Sequence, residues 1–119
     1  MRRDLNLLRD ILLQVEATDR HPHEVTVFQM PDRDPYQVYH HLRLAKEAGF
    51  LKVEFLSGDP PQGCVLDLTW VGHEFLDNAR NDRVWQQVAT KVAKLGGSFS
   101  VSVVTEMLAA TAKKMAGLD

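Results

Sequence analysis

Hydrophobic residues along the chain come in stripes, and the spacing within a stripe switches from helical to alternating and back. Behind Asp4, a residue suited to cap a first turn, Leu5, Leu8, Ile11, Leu12 and Val15 repeat at helical spacing and predict a helix reaching about Ala17. Leu7 and Leu13 widen that stripe, so this helix is expected to be covered on more than one side. Residues 18–23 break the pattern with Pro22 and several cap-type side chains. Residues 24–28 are rich in β-branched side chains and read as a short strand; residues 29–33 are a second break.

Asp34 followed by Pro35 predicts a helix start, a carboxylate cap and then proline at the first helical position. Val38, Leu42 and Ala45 lie along one face, with Leu44 and Ala48 beside it, and Gly49 suits the left-handed position that ends the helix. Residues 50–56 alternate as a strand and residues 64–68 supply its partner, which leaves 57–63, with Pro60 and Pro61, as the connecting loop. Thr69 caps a following helix whose inward side is Phe75, Leu76 and Ala79.

Asn81 and Asp82 restart the chain into another helix striped by Val84, Val88, Val92 and Leu95, flanked by Trp85 and Ala89 and stopped by Gly96 and Gly97. Lys91 and Lys94 suit its negative end. The last segment carries two periods. Residues 98–104 alternate like a strand, yet Val101, Val104, Leu108, Ala112 and Met115 keep helical spacing, and a helix beginning near Ser100 is the favoured reading.

Helix, two-stranded ribbon and helix in this order predict a mostly helical α+β fold, a winged helix-turn-helix with a two- to three-stranded wing and extra C-terminal helices. Residues 1–80 would form the winged-helix domain and 81–119 a helical extension, packed on the same core or forming a dimer interface. The string His41-Leu42-Arg43-Leu44-Ala45-Lys46-Glu47-Ala48-Gly49-Phe50-Leu51 resembles the recognition helix of metal-sensing and related winged-helix repressors, with Ala45 where those carry leucine. Three segments together are similar to a family of small bacterial and prophage proteins that carry a domain of unknown function: the opening Arg3-Asp4-Leu5-Asn6-Leu7-Leu8-Arg9, the helix just quoted and Leu68-Thr69-Trp70-Val71-Gly72-His73-Glu74-Phe75-Leu76-Asp77. That resemblance spans nearly the whole chain. It implies a winged-helix fold in a phage-linked setting and no defined activity, ligand or site.

In a winged helix that reads DNA, the outer face of the third helix enters the major groove and the wing touches the backbone. Here that face offers Tyr36, Gln37, Tyr39, His40 and Arg43, with Lys46 lower down: glutamine and arginine as base-edge readers, tyrosine and histidine within reach of phosphates. Two features run against ordinary operator binding. The loop 57–63 holds no lysine or arginine and includes Asp59, and only residues 29–33 separate the preceding strand from the helix, too few for the usual bracing helix.

Composition changes this picture little. The chain has 119 residues, 45% apolar and 25% charged, and a formal net charge of −2, so phosphate binding would rest on a local basic face. No apolar run approaches the ~18 residues a membrane span needs, and the polar start lacks a signal-peptide core. One cysteine, Cys64, permits no internal disulfide and suits a reducing cytoplasm, the expected location.

His21, His23, His40, His41, His73 and Cys64 invite a metal reading, but their spacing does not converge four ligands, and surface histidines with no metal and no cofactor are expected. His73 is assigned to packing, its ring bonded to backbone or wing. His73-Glu74 lacks the second histidine of a zinc hydrolase helix, and no nucleophile elbow, phosphate loop or carboxylate pair points to an enzyme. The expected function is therefore a small non-enzymatic binding protein of prophage type, a DNA-binding transcriptional regulator acting through helix 34–48 and wing 51–68. The alternative is a protein–protein interaction module that engages a phage or host protein through the same scaffold. Apolar stripes in the last two helices suggest a homodimer, with Trp85, Phe99, Val103, Leu108 and Met115 as candidate interface residues.

Overall fold

Side-chain caps set where four of the helices begin. In the computed structural model, which describes residues 1–18, 26–96 and 100–117, Asp4 accepts from the amides of Asn6 and Leu7 and opens α1 (Leu5–Ala17). Asp34 accepts from Tyr36 N at 3.0 Å, and with Pro35 at the first position it opens α2 (Pro35–Glu47). Gly49 at φ +81° ends α2, as its place in the sequence requires. The chain then forms β1 (Leu51–Leu56), antiparallel to β2 (Gln62–Leu68), followed by α3 (Trp70–Ala79), α4 (Asp82–Lys94) capped by Asn81, and α5 (Val101–Met115) capped by Ser100. The described residues are thus a mostly helical α+β fold of five helices and a two-stranded antiparallel sheet, an arrangement compatible with a winged helix.

By the density of its internal packing the chain divides into two units, Met1–His73 and Glu74–Asp119, with the division inside α3. In the first, α1 packs on α2 and β2, and α2 packs on β1. Its core is built from Leu7, Leu8, Ile11, Leu12 and Val15 of α1, Val38, Leu42 and Ala45 of α2, and Phe50, Leu51, Val53, Val65 and Leu68 around the sheet. Val65 and Leu68 are three residues apart and would face opposite sides of a regular strand. A bulge reconciles them: Val53 pairs with Val65 and Lys52 with Asp67, so Leu66 is the extra residue and is pushed outward.

Several expectations change here. Gln62 and Gly63 belong to β2, because they pair with Leu56 and Phe55, so the loop shortens to 57–61. The strand expected over 24–28 is, among the described residues, a single bridge of Val27 to Cys64 joined by Phe28 N donating to Gly63 O at 2.9 Å. Residues 24 and 25 lie outside the described residues. Among the described residues no helix stands between α1 and α2.

In the second unit α4 and α5 pack on each other, burying Val84, Val88 and Val92 with Val104 and Leu108. Trp85 meets Phe75 edge to face, ring centroids 6.4 Å apart. Leu95 leaves the α4 stripe at 68% exposure, since the helix ends at Lys94 and Gly96 (φ +109°) turns the chain before another turn forms. Among the described residues no helix is long and apolar enough to cross a membrane.

Candidate nucleic-acid interface

The outer face of α2 is defined by what its inner face buries. Val38, His41, Leu42 and Ala45 are inside, and at about 100° of rotation per residue this turns Tyr36, His40, Arg43 and Glu47 outward. Tyr39 and Lys46 fall on the flank facing β1. Tyr39 packs edge to face on Phe55, centroids 5.3 Å apart and rings at 81°. The Arg43 guanidinium sits 6.0 Å from the Tyr39 ring centre, and Lys46 Nζ lies 5.4 Å from that of Phe55. Such contacts contribute about 0.5–1 kcal/mol each at exposed sites. Their larger effect is geometric: two interlocked rings, one from the helix and one from the strand, gather two cations along one seam.

The first turn of α2 is tied to the loop between the strands. Tyr36 donates its hydroxyl to the Asp59 carboxylate. That bond raises the Tyr36 pKa above its ordinary value of 10.0, with smaller contributions from burial and from the charges of Asp59 and Asp34. The hydroxyl proton expected to be free for a phosphate is therefore engaged, and a negative charge stands beside it. Gln37 is half-buried, and its Oε1 is enclosed without a hydrogen-bond partner among the described residues. Its amide is turned partly inward rather than displayed as a base reader. His40 is also half-buried. Desolvation lowers its pKa, helped by the positive charges of the chain's first amino group and Arg43 and opposed by Glu47. These causes favour its uncharged form.

His41 is the residue whose place differs most from expectation. It is 0% exposed rather than a surface histidine. Asp4 N donates to its Nε2 at 2.8 Å, so Nε2 carries no proton, and Nδ1–H donates to Gln37 O at 2.8 Å. The signal was in the sequence: position 41 belongs to the repeat 38, 41, 42, 45, and only the polarity of the side chain hid it.

The phrase Thr69-x-x-Gly72 has a structural explanation. Thr69 N donates to Phe50 O at 2.9 Å, the Thr69 hydroxyl donates to Gly49 O, and Gly72 N donates to Thr69 Oγ1 at 3.0 Å. A β-carbon on Gly72 would stand 2.4 Å from Phe50 O. The motif stitches the start of α3 to the end of α2. His73 does not bond backbone or ribbon as expected; its half-exposed ring stands 4.0 Å from the Glu16 carboxylate.

Of the residues considered for a dimer interface, Trp85 and Leu108 are 2% and 1% exposed, inside the second unit. Val103 and Met115 are on the surface, at 37% and 42%. Phe99 lies outside the described residues, as do His21 and His23. Cys64 is buried, and no group of three or more histidine, cysteine or acidic side chains is arranged to hold a metal among the described residues.

Comparison with known proteins adds kinship. A Haemophilus influenzae protein described as "Uncharacterized protein" is 30% identical over 112 residues, 90% of this chain and 92% of the relative. No solved structure matches. The family described as "Hypothetical protein (DUF2513)" matches residues 2–98, which takes in α1 to α4 and stops before α5, and the chain belongs to that family.

Proposed function

We propose that α1, α2 and the β1–β2 ribbon with the start of α3 are a winged helix, and that the protein is a non-enzymatic regulator of prophage type that binds duplex DNA through the outer face of α2. The observation that carries this reading is the seam of Arg43 and Lys46 over Tyr39 and Phe55, which preorganises two cations where helix and ribbon meet. Arg43 is the base-edge candidate, since its fork matches guanine in the major groove, and Lys46 is a phosphate contact. The loop 57–61 has no cation to offer, so the helix carries the charge that the ribbon tip supplies in other winged helices. Dimerisation, if it supports binding to paired half-sites, falls to exposed residues of α5 such as Val103 and Met115.

The test is retention of duplex DNA from the gene's own neighbourhood across a salt series. Phosphate contacts make affinity fall steeply with salt. The double variant Arg43→Ala/Lys46→Ala should lose most of the binding while losing no more than the about 1–2 kcal/mol of stability that its two ring contacts supply. Absence of wild-type binding at low salt retires the reading.

A second reading, capture of a protein partner, is favoured by Trp70, which is 79% exposed at the start of α3. Tryptophan is enriched among the residues that dominate protein interfaces. Binding that survives high salt and is lost in Trp70→Ala would support it.

A further inference from the structure

β2 lies between β1 and the bridge at Val27, so β1 is the outer strand, and among the described residues no strand pairs with its far edge. Two hydrogen bonds fix which residues turn their backbone to that edge. Gly63 O accepts from Phe28 N, on the side of β2 away from β1. Gly63 and its partner Phe55 are therefore a pair not bonded to each other, and Phe55 turns its N–H and C=O outward. At the other end Phe50 O accepts from Thr69 N, which turns Phe50 toward β2 and Leu51 away from it. The bulge lies in β2 and leaves the alternation of β1 unbroken, so the two ends agree: Leu51, Val53 and Phe55 present their backbone groups at the edge. The side chains of Lys52 and Glu54 are exposed together on the sheet's outer face, while Phe55, on the inner face, is only half-buried. Among the described residues neither Lys52 nor Glu54 makes an ion pair.

We propose that β1 pairs antiparallel with β1 of a second copy of this chain, Val53 opposite Val53, joining the two ribbons into one continuous sheet. In this register every outward residue meets an outward residue, Val53 with Val53 and Leu51 with Phe55, so their backbone groups exchange hydrogen bonds. Lys52 then stands opposite Glu54 of the second copy, and Glu54 opposite Lys52 of the second copy. These are the pairs whose side chains come closest, with β-carbons about 4.5–5.5 Å apart. Sliding by two residues keeps the backbones in step but sets Lys52 against Lys52 or Glu54 against Glu54. Sliding by one residue sets outward groups against groups already turned to β2. Backbone and charge thus select the same alignment. Charges on an edge strand commonly guard it against pairing, but here their order is self-complementary. Leu51 of the second copy would also cover the half-buried Phe55. The twofold axis of such a pair is normal to the sheet, so both α2 helices stand on one face of it. The pairing does not depend on what α2 binds.

The experiment is sedimentation of the full chain over a concentration series, in wild type, Lys52→Glu, Glu54→Lys and the double exchange Lys52→Glu/Glu54→Lys. Both positions are exposed, so the variants should fold, which circular dichroism checks. Wild type should pass from monomer to dimer as concentration rises. Each single exchange turns both opposite-charge pairs into like-charge pairs and should weaken the dimer about tenfold or more. The double exchange restores opposite pairs and should return the dimer to near wild-type strength. An equimolar mixture of the two single variants should pair at concentrations where neither does alone. Val103→Asp/Met115→Asp, at exposed positions of α5, should leave the dimer intact. A wild type that stays monomeric up to millimolar concentration overturns the pairing. So does a dimer that the single exchanges leave unchanged, or one that the double exchange fails to restore. Dissociation by the α5 pair alone would overturn it too and assign the contact to α5. Sedimentation is read without DNA, so failure here leaves the reading of α2 standing.

Discussion

The backbone N–H of Asp4 donates to Nε2 of the fully buried His41 at 2.8 Å, so the residue that caps α1 is itself held by α2. The same imidazole donates from Nδ1 to the Gln37 carbonyl. Removing the ring strands a part-buried amide and opens a cavity. His41→Ala should cost about 2–4 kcal/mol and His41→Phe, which fills the space without restoring the bonds, about 1–3 kcal/mol. Urea unfolding checks this: equal midpoints for wild type and His41→Phe would mean that packing alone matters at this position.

Gly72 predicts the other strong effect. Its missing side chain leaves room for Phe50 O, which would stand 2.4 Å from a β-carbon, and for Leu68 Cδ1 at 2.7 Å. The carbonyl cannot retreat, because it accepts from Thr69 N. Gly72→Ala should destabilise by roughly 1–3 kcal/mol or more, as overpacking does in other cores. Thr69→Val removes the hydroxyl bonded to Gly49 O and Gly72 N, and should cost about 1–2 kcal/mol. Thermal melts of both variants beside wild type decide the matter, and a Gly72→Ala protein as stable as wild type would refute the close approach.

These two relationships show what the sequence discloses and what it withholds. Caps and stripes announced α1, α2, α4 and α5 because each is local: Asp4, Asp34, Asn81 and Ser100 stand where an acceptor is needed. Thr69-x-x-Gly72 was visible as a motif, but its reason was not, since the partner carbonyls lie about twenty residues earlier. The bulge at Leu66 is silent for a related reason: one inserted residue flips the faces of a strand while leaving its composition intact. For the candidate interface, Tyr39, Arg43 and Lys46 were legible as lying off the buried stripe of a helix, and the structure puts Arg43 on the outer side and the other two on the flank facing β1. Phe55, which organises two of them, and Asp59, which engages Tyr36, meet α2 only once the ribbon has folded back.

His40 sets a pH dependence. Its folded pKa lies below the ordinary 6.5, chiefly through desolvation, so the unfolded chain takes up this proton more readily than the folded one. The associated stability is complete above about pH 6.5 and is lost as pH falls from there through the lowered folded value. His40→Gln should therefore flatten the melting temperature between about pH 7 and pH 5 relative to wild type. Parallel curves for the two proteins would show that His40 is not the group responsible. Bound phosphates favour the charged ring, so DNA on this face should raise the His40 pKa, an effect visible in its imidazole proton shifts by NMR.

Asp59 supplies a prediction of opposite sign to the usual loss of function. Its carboxylate accepts from the Tyr36 hydroxyl at the first turn of α2, on the outer face that also carries Arg43 and that the proposed docking turns to DNA. A negative charge there repels phosphates, and the repulsion is screened over about 10 Å at 0.1 M salt. Asp59→Asn keeps an acceptor for Tyr36 and removes the charge. It should tighten DNA binding roughly two- to fivefold at low salt, with the gain shrinking as salt rises. The bond to Asp59 is the largest cause of the raised Tyr36 pKa, so the same variant should let that phenol titrate closer to 10.0, followed by ultraviolet absorbance. The two readouts separate the local bond from the interface. A lowered phenol pKa with unchanged or weaker DNA binding would mean that the first turn of α2 points away from the nucleic acid, and Arg43 and Lys46 would then be left to engage it from the other end of the helix.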